Sequence, residues 1–154
     1  KAAATEYTDV LLNETNVSNK EYNAIYYHLY NSAYDRNTRY VTIKQLADKG
    51  PCVIVGRCAD YVLRERDDVL NVFIHAPMEY RAQRAKDVYE REASNMVDYV
   101  KKQDKKRASF YNYFSQNKWG DARHYHLAIS GQYGVDYAVE ILKRAVETFP
   151  GGGR

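Results

Sequence analysis

Residues 101–114 read KKQDKKRASFYNYF: five cations, Lys101, Lys102, Lys105, Lys106 and Arg107, surround one carboxylate, Asp104, and four aromatics follow within seven residues. A solvated helix usually alternates its charges, and a core helix carries fewer of them. At about 100° per residue, Val97, Val100, Asp104, Ala108 and Tyr111 fall on one stripe of a helix. Lys101 and Arg107 border that stripe, whereas Lys102 and Lys106 point away from it. A carboxylate on an inward stripe needs a partner, because burying it unpaired costs several kcal/mol. Two readings stay open from the helix alone. Either Asp104 pairs with Arg107 or a distant cation while the lysines form a solvated face, or Asp104 orients a group toward a polar ligand. In the second case Arg107 and the lysines neutralise phosphate.

Two further places supply cations. Gly56-Arg57 follows the apolar run CVIVG, so an arginine at that point would project beyond a strand end; an ordinary turn with a surface arginine is the alternative. Arg81, Arg84 and Arg91 lie on the run that follows VLNVFIHA, with Arg81 and Arg84 neighbours on one helical face. A charged surface helix would look the same. Taken together, cations recur after two strands and on a helix before a third. Phosphoryl transfer calls for such an arrangement, since its catalysis is mostly positioning and neutralisation of spreading negative charge.

The elements that must carry these residues read as an alternation of strands and helices. NKEYNAIYYHLYNSAY and VTIKQLADKG have helical spacing, the latter stopping at Gly50 and Pro51. CVIVG, VLNVFIHA (69–76) and HLAIS (126–130) read as strands, CVIVG as one buried on both faces. Residues 58–66 form a short helix, PMEYRAQRAKDVYEREA a charged one, and Ser94 caps a long helix to Ser115. GVDYAVEILKRAVE closes the chain with Val135, Ala138, Val139, Leu142 and Val146 on one side. Strands separated by helices imply βαβ units and a parallel sheet, whose ligands gather beyond the carboxyl ends of the strands.

Composition narrows the class. The 154 residues carry a net charge of +3; the seven residues 101–107 contribute +4, so the remainder sums to −1. Such local basicity favours a compact anion over a polymer, and nucleic acid is not expected as a partner. A small RNA-binding protein, with Phe110, Tyr111, Tyr113 and Phe114 stacking single-stranded bases beside the cations, is an alternative that rests on this stretch alone, since aromatics at helical spacing are more often core. There are 16 tyrosines, seven of them before Gly50, which suggests wet, half-buried surfaces. Cys52 and Cys58 are too few and too close for a disulfide framework, so reduced thiols and a cytoplasmic setting are expected. No apolar run is long enough to span a bilayer. His124-x-His126 lacks the companion ligands of a metal site, and no dedicated metal site is expected. Neither cysteine has the His and acid of a thiol nucleophile.

CVIVGRCADYVL, VLNVFIHAPMEYRAQR and KKQDKKRASFYNYFSQNKWGDARHYHLAIS together resemble the cytidylate kinase-like family of P-loop nucleotide kinases, over about Gly50 to Val146. The segment around DKKRASFYNYF and WGDARHY is the most specific part. The resemblance implies a three-layer P-loop-kinase-like fold, α/β with a parallel sheet and a helical lid, and phosphoryl transfer from ATP with Mg2+ to a nucleoside monophosphate or similar small phosphorylated acceptor. It implies that Arg57, with Gly56, Asp60 and Lys101, binds the acceptor. Arg81, Arg84 and Arg91 are then lid cations, completed by the Asp-x-x-Arg pair Asp104 and Arg107. One domain is expected over 1–150: a helical acceptor-side region (1–50), core strands and helix (51–76), lid and following helix (77–118), last strand and closing helix (119–150), then a flexible tail.

The chain departs from that pattern twice. Cytidylate kinases read G-R-D after the strand, where this chain has Cys58 and places Asp60 two positions on, which leaves the acceptor base open. The phosphate-wrapping G-x-x-x-x-G-K-[ST] loop is also absent, and no glycine precedes Gly50. An N-terminal strand, loop and helix of about 30–40 residues, carrying the central P-loop strand, is therefore expected ahead of residue 1. The alternative is a catalytically inactive nucleotide- or partner-binding module of the same fold.

Overall fold

A computed structural model describes residues 36–87 and 94–152. The expected helix over 19–34 lies outside them, as does Arg91. The chain divides into two compact units, the first ending at Val69 and the second beginning at Leu70.

In the first unit, helix α1 (Arg36–Lys49) covers the predicted VTIKQLADKG run and ends at Gly50, whose φ is +140°. Its inward residue Ile43 is 0% exposed and packs with Ala59, Val62 and Leu63, with Tyr40, Leu46, Ala47, Ile54 and Val69 around them. Ala59 and Val62 belong to a one-turn helix, α2 (Ala59–Val62), shorter than the 58–66 helix expected from the sequence. Arg66 then ties the two segments together: it forks onto Asp68 (2.8 and 2.7 Å) and donates to Asp48 at the end of α1.

CVIVG is not a strand. Residues 52–55 have no regular secondary structure, and Cys52 and Val55 are exposed. A short apolar run becomes a strand only when a neighbour accepts and donates along its length. Among the described residues the only ladder joins two other segments.

That ladder opens the second unit. Strand β1 (Val72–His75) runs parallel to β2 (Leu127–Ser130), with Val72 opposite Leu127 and His75 opposite Ser130. Both are shorter than their apolar runs, but the parallel pairing across a helical crossover is the βαβ arrangement the pattern predicts. The crossover contains α3 (Met78–Asp87) and α4 (Met96–Ser115). Ala82 and Ala85 on α3 and Val100 on α4 are buried together, with Met78, Met96, Val97 and Tyr99 beside them. Two alanines one turn apart let the helices approach closely.

Asn95, not Ser94, caps α4. Its extended backbone lets the side-chain oxygen accept from the Asp98 N–H (3.2 Å), while its amide donates back to the Asp98 carboxylate (2.9 Å). The acid in the first turn also suits the helix dipole. Asn95→Ala should cost about 1 kcal/mol in urea denaturation, and Ser94→Ala should cost much less. At the other end the buried Ser115 hydroxyl donates to the Tyr111 carbonyl and accepts from the Asn117 N–H, while Gln116 turns left-handed.

Helix α5 (Val135–Thr148) buries Ala138, Val139 and Leu142 as expected, but Val146 is exposed. A helix of 14 residues runs about 21 Å, whereas strands of four residues run about 13 Å, so its last turn outlasts the layer it can cover. The fold is thus mixed α/β, built around a small parallel two-stranded sheet and its helices.

Candidate functional site

The stripe arithmetic explains why a carboxylate and an arginine meet between α3 and α4. Arg81 sits one turn before Ala85, on the face of α3 that packs against α4. Asp104 sits one turn after Val100, on the matching face. The Arg81 Nη1 donates to Asp104 Oδ2 at 2.7 Å, and the Arg107 Nη1 donates to Asp104 Oδ1 at 3.3 Å. The side chain of Asp104 is 19% exposed and that of Arg81 30%, so the pair is substantially removed from water. Arg107 is largely exposed. One carboxylate therefore holds two guanidinium groups, one turned inward and one toward solvent.

Arg81 is incompletely satisfied. Among the described residues its Nη2 finds only the Met78 sulfur, at 3.7 Å, and its buried Nε has no acceptor. Buried donors left unpaired cost roughly 1–3 kcal/mol. Arg84, predicted to neighbour Arg81, is half-buried on α3. Lys101 is exposed and reaches Asp98 at 4.0 Å rather than Asp104.

The other predicted residues belong to the first unit. Gly56, Arg57 and Cys58 have φ of 70°, 58° and 58° in succession. Three consecutive left-handed residues are uncommon, and for Arg57 and Cys58 that conformation costs about 1–2 kcal/mol each. Such strain concentrates at ligand sites and switches. Nothing lies within 4 Å of a Cβ built on Gly56, so backbone conformation rather than crowding calls for glycine there. Cys58 is buried and opens α2, and Asp60 follows in its first turn, half-buried. A cleft of this unit lined by Lys44, Asp48, Val62, Leu63, Glu65 and Arg66 includes none of the predicted site residues.

The role of WGDARHY emerges only in the structure. Phe73 of β1 sits between Trp119 and Tyr125, with ring centroids 5.6 and 4.9 Å away. Gly120 passes beneath its tip with φ of 77°, and a Cβ there would lie 3.3 Å from Phe73 Cζ. Asp121 starts a 3-10 turn, accepting from the Arg123 N–H (3.1 Å) and pairing with its guanidinium (2.6 Å). Those bonds hold the Asp121 carboxyl well below the usual carboxylate range. A depressed folded-state pKa adds stability above the unfolded value, near 4, and that stability is lost as acid protonates the folded carboxylate. Asp121→Asn should therefore be less stable than wild type at pH 7. The gap in urea midpoints should narrow as pH falls below about 4.

His126 does not act with His124 as a ligand pair. Its Nδ1 accepts from the Asn71 N–H (2.9 Å), while its own N–H donates to the Asn71 carbonyl (2.8 Å), latching β2 to the start of β1. Among the described residues no group of three or more His, Cys, Asp or Glu is placed to hold a metal ion. Cys52 and Cys58 are not joined in a disulfide. Although Cys52 keeps an exposed surface, partial loss of water around its sulfur pushes the thiol up, while Arg66 pulls it the other way; the net direction is the wrong one for a nucleophile. No described helix is long and apolar enough to cross a membrane.

A sequence model of the cytidylate kinase-like family matches residues 3–133, most of the chain and both segments that carry the arginines. The chain belongs to the cytidylate kinase-like family. No curated protein matches it. Among solved structures it is similar to the crystal structure of an uncharacterized protein from Eubacterium ventriosum ATCC 27560, with a TM-score of 0.67 and 25% identity over 77% of this chain and 70% of that one. Membership of a cytidylate kinase-like family points to a nucleotide kinase-like function and to kinase chemistry that uses ATP and Mg2+.

Proposed function

We propose that this protein transfers a phosphoryl group from ATP to a nucleoside monophosphate or a similar small phosphorylated acceptor. The observation that carries this reading is the bracket Arg81–Asp104–Arg107, found on the helices that follow β1 in a cytidylate kinase-like chain. Guanidinium groups fit phosphate oxygens in pairs and stay charged throughout. Asp104 positions both of them, fixing their donors before any anion arrives, so little reorganisation is needed as charge develops. The unsatisfied Nε of Arg81 means that its present contacts are not its best ones. Arg57, on the strained turn, holds the acceptor phosphate, and Gly56, Asp60 and Lys101 are assigned to acceptor binding as well. Arg84 and Arg91 serve as further lid cations.

Magnesium enters with the nucleotide's own phosphates rather than on a dedicated protein cage. The three-layer arrangement around a P-loop strand is part of the same reading. A second reading is a nucleotide- or partner-binding module of the same fold without catalysis; the 154 residues themselves contain no G-x-x-x-x-G-K-[ST].

The test is a panel of nucleoside monophosphates scored by thermal stabilisation, then by conversion to diphosphate with ATP and magnesium. A ligand that prefers the folded state raises the Tm. Stabilisation with turnover supports the kinase, and Arg107→Ala should then lower turnover about a hundredfold or more. Stabilisation without turnover supports the binding module. If Arg57→Ala and Arg107→Ala leave every response unchanged, the site assignment fails.

A further inference from the structure

The five cations of residues 101–107 part company in the folded chain. Arg107 joins Arg81 on Asp104, and Lys101 reaches Asp98. Lys102, Lys105 and Lys106 remain exposed. Among the described residues no carboxylate lies within ion-pair distance of any of them; the same holds for scattered exposed lysines such as Lys44, Lys49 and Lys118, but these three stand together on one helix. Lys102, Lys106, Ser109 and Tyr113 recur at helical spacing within an arc of about 60°, with Lys105 at its border. This arc is centred about 170° around α4 from Asp104, so it is a different surface from the arginine bracket and does not depend on the kinase reading.

Tyr113 stands at the end of this stripe and is 77% exposed. Its ring is braced edge-on by Phe114, with centroids 5.0 Å apart and planes at 90°, and Phe114 leans in turn on Phe110 at 4.7 Å. An aromatic ring held upright in water, one helix face along from three unneutralised ammonium groups, combines two chemistries: a π surface and a row of positive charge.

We propose that this outer face of α4 binds single-stranded nucleic acid, with Lys102, Lys105 and Lys106 on backbone phosphates and Tyr113 stacking against a base. An acidic protein partner fits less well, because lysine is depleted where proteins pack against each other. Cationic side chains beside a stacking aromatic are instead the pattern of sequence-tolerant single-strand binding. Sequence alone weighs against nucleic acid, because it takes the cations as one site for a compact anion and the aromatics as core. The fold divides it, giving Asp104 its arginines and leaving the lysines outside.

Fluorescence anisotropy of a labelled oligouridylate of about 12 nucleotides, titrated with the intact chain between about 0.05 and 0.2 M salt, tests this. Wild type should bind, more weakly as salt rises. Replacing Lys102, Lys105 and Lys106 together by Gln should reduce the slope of log K against log salt by about 2, at about 0.7 per phosphate contact on a single strand. Tyr113→Ala should weaken binding about tenfold with the slope nearly unchanged. Lys143→Gln with Arg144→Gln, cations of α5, should change neither. All these side chains are at the surface, and circular dichroism verifies that each variant folds. Absence of binding, equal losses in the α5 variant, insensitivity to the α4 changes, or equal binding of polyglutamate would each overturn the proposal.

Discussion

Asp104→Asn should lower the unfolding free energy by about 2 kcal/mol and the Tm by about 5 °C. Breaking a fully buried ion pair by removing one partner costs roughly 3–5 kcal/mol, and an exposed pair is worth about 0–1. With 30% and 19% of the side chains exposed, Arg81 and Asp104 fall between those limits. The loss comes chiefly from Arg81, whose Nε already lacks an acceptor among the described residues and whose Nη1 would lose the Asp104 carboxylate. Arg107, largely in water, should contribute little. The diagnostic comparison is Arg81→Met with Asp104→Leu, which removes both charges and should cost less than Asp104→Asn alone. Urea denaturation of the three proteins decides it: coincident midpoints for wild type and Asp104→Asn would mean that the pair does not join α3 to α4.

Gly120→Ala should cost about 2–3 kcal/mol, from two separable sources. A left-handed residue with a Cβ loses about 1–2 kcal/mol. The added methyl would also press on Phe73 Cζ at 3.3 Å, and that ring has little room to yield between Trp119 and Tyr125. In a Phe73→Leu background only the backbone share should remain, so the penalty for Gly120→Ala should fall by roughly half. Gly56→Ala is the control, with a left-handed φ but open space, and should cost only about 1–2 kcal/mol. Trp119, the sole tryptophan, reports the ring packing directly by fluorescence.

Much of the fold was legible along the chain because its signals are local. The 3.6-residue spacing marked α1, α4 and α5, and a proline followed by charged helix formers marked α3. It also placed Asp104 on the inward stripe beside Val100 and Tyr111, both of which are buried. The alternation of apolar runs with helices pointed to parallel strands, and β1 and β2 are parallel. The segments around GRC, DKKR and WGD carried the family resemblance that the match over 3–133 bears out.

What went astray depended on distant partners or on backbone angles. CVIVG is as apolar as VFIH, yet among the described residues only the latter finds a ladder partner, 55 residues on at Leu127 for Val72. Ser94 and Asn95 are both good caps by type, and the choice fell to the residue whose oxygen reaches the Asp98 N–H. WGD looked like a signature without a role, because its reason, Phe73 above Gly120, lies 47 residues away in sequence.

Residue type and spacing by themselves determined that a carboxylate must face inward among cations, and that something positive must meet it. Tertiary structure alone decided which cation. Arg81 lies 23 residues from Asp104 and reaches it only because two alanines let α3 pack closely on α4. Charge and helical phase are properties of one segment, whereas the partner of a half-buried charge depends on which helix arrives opposite it.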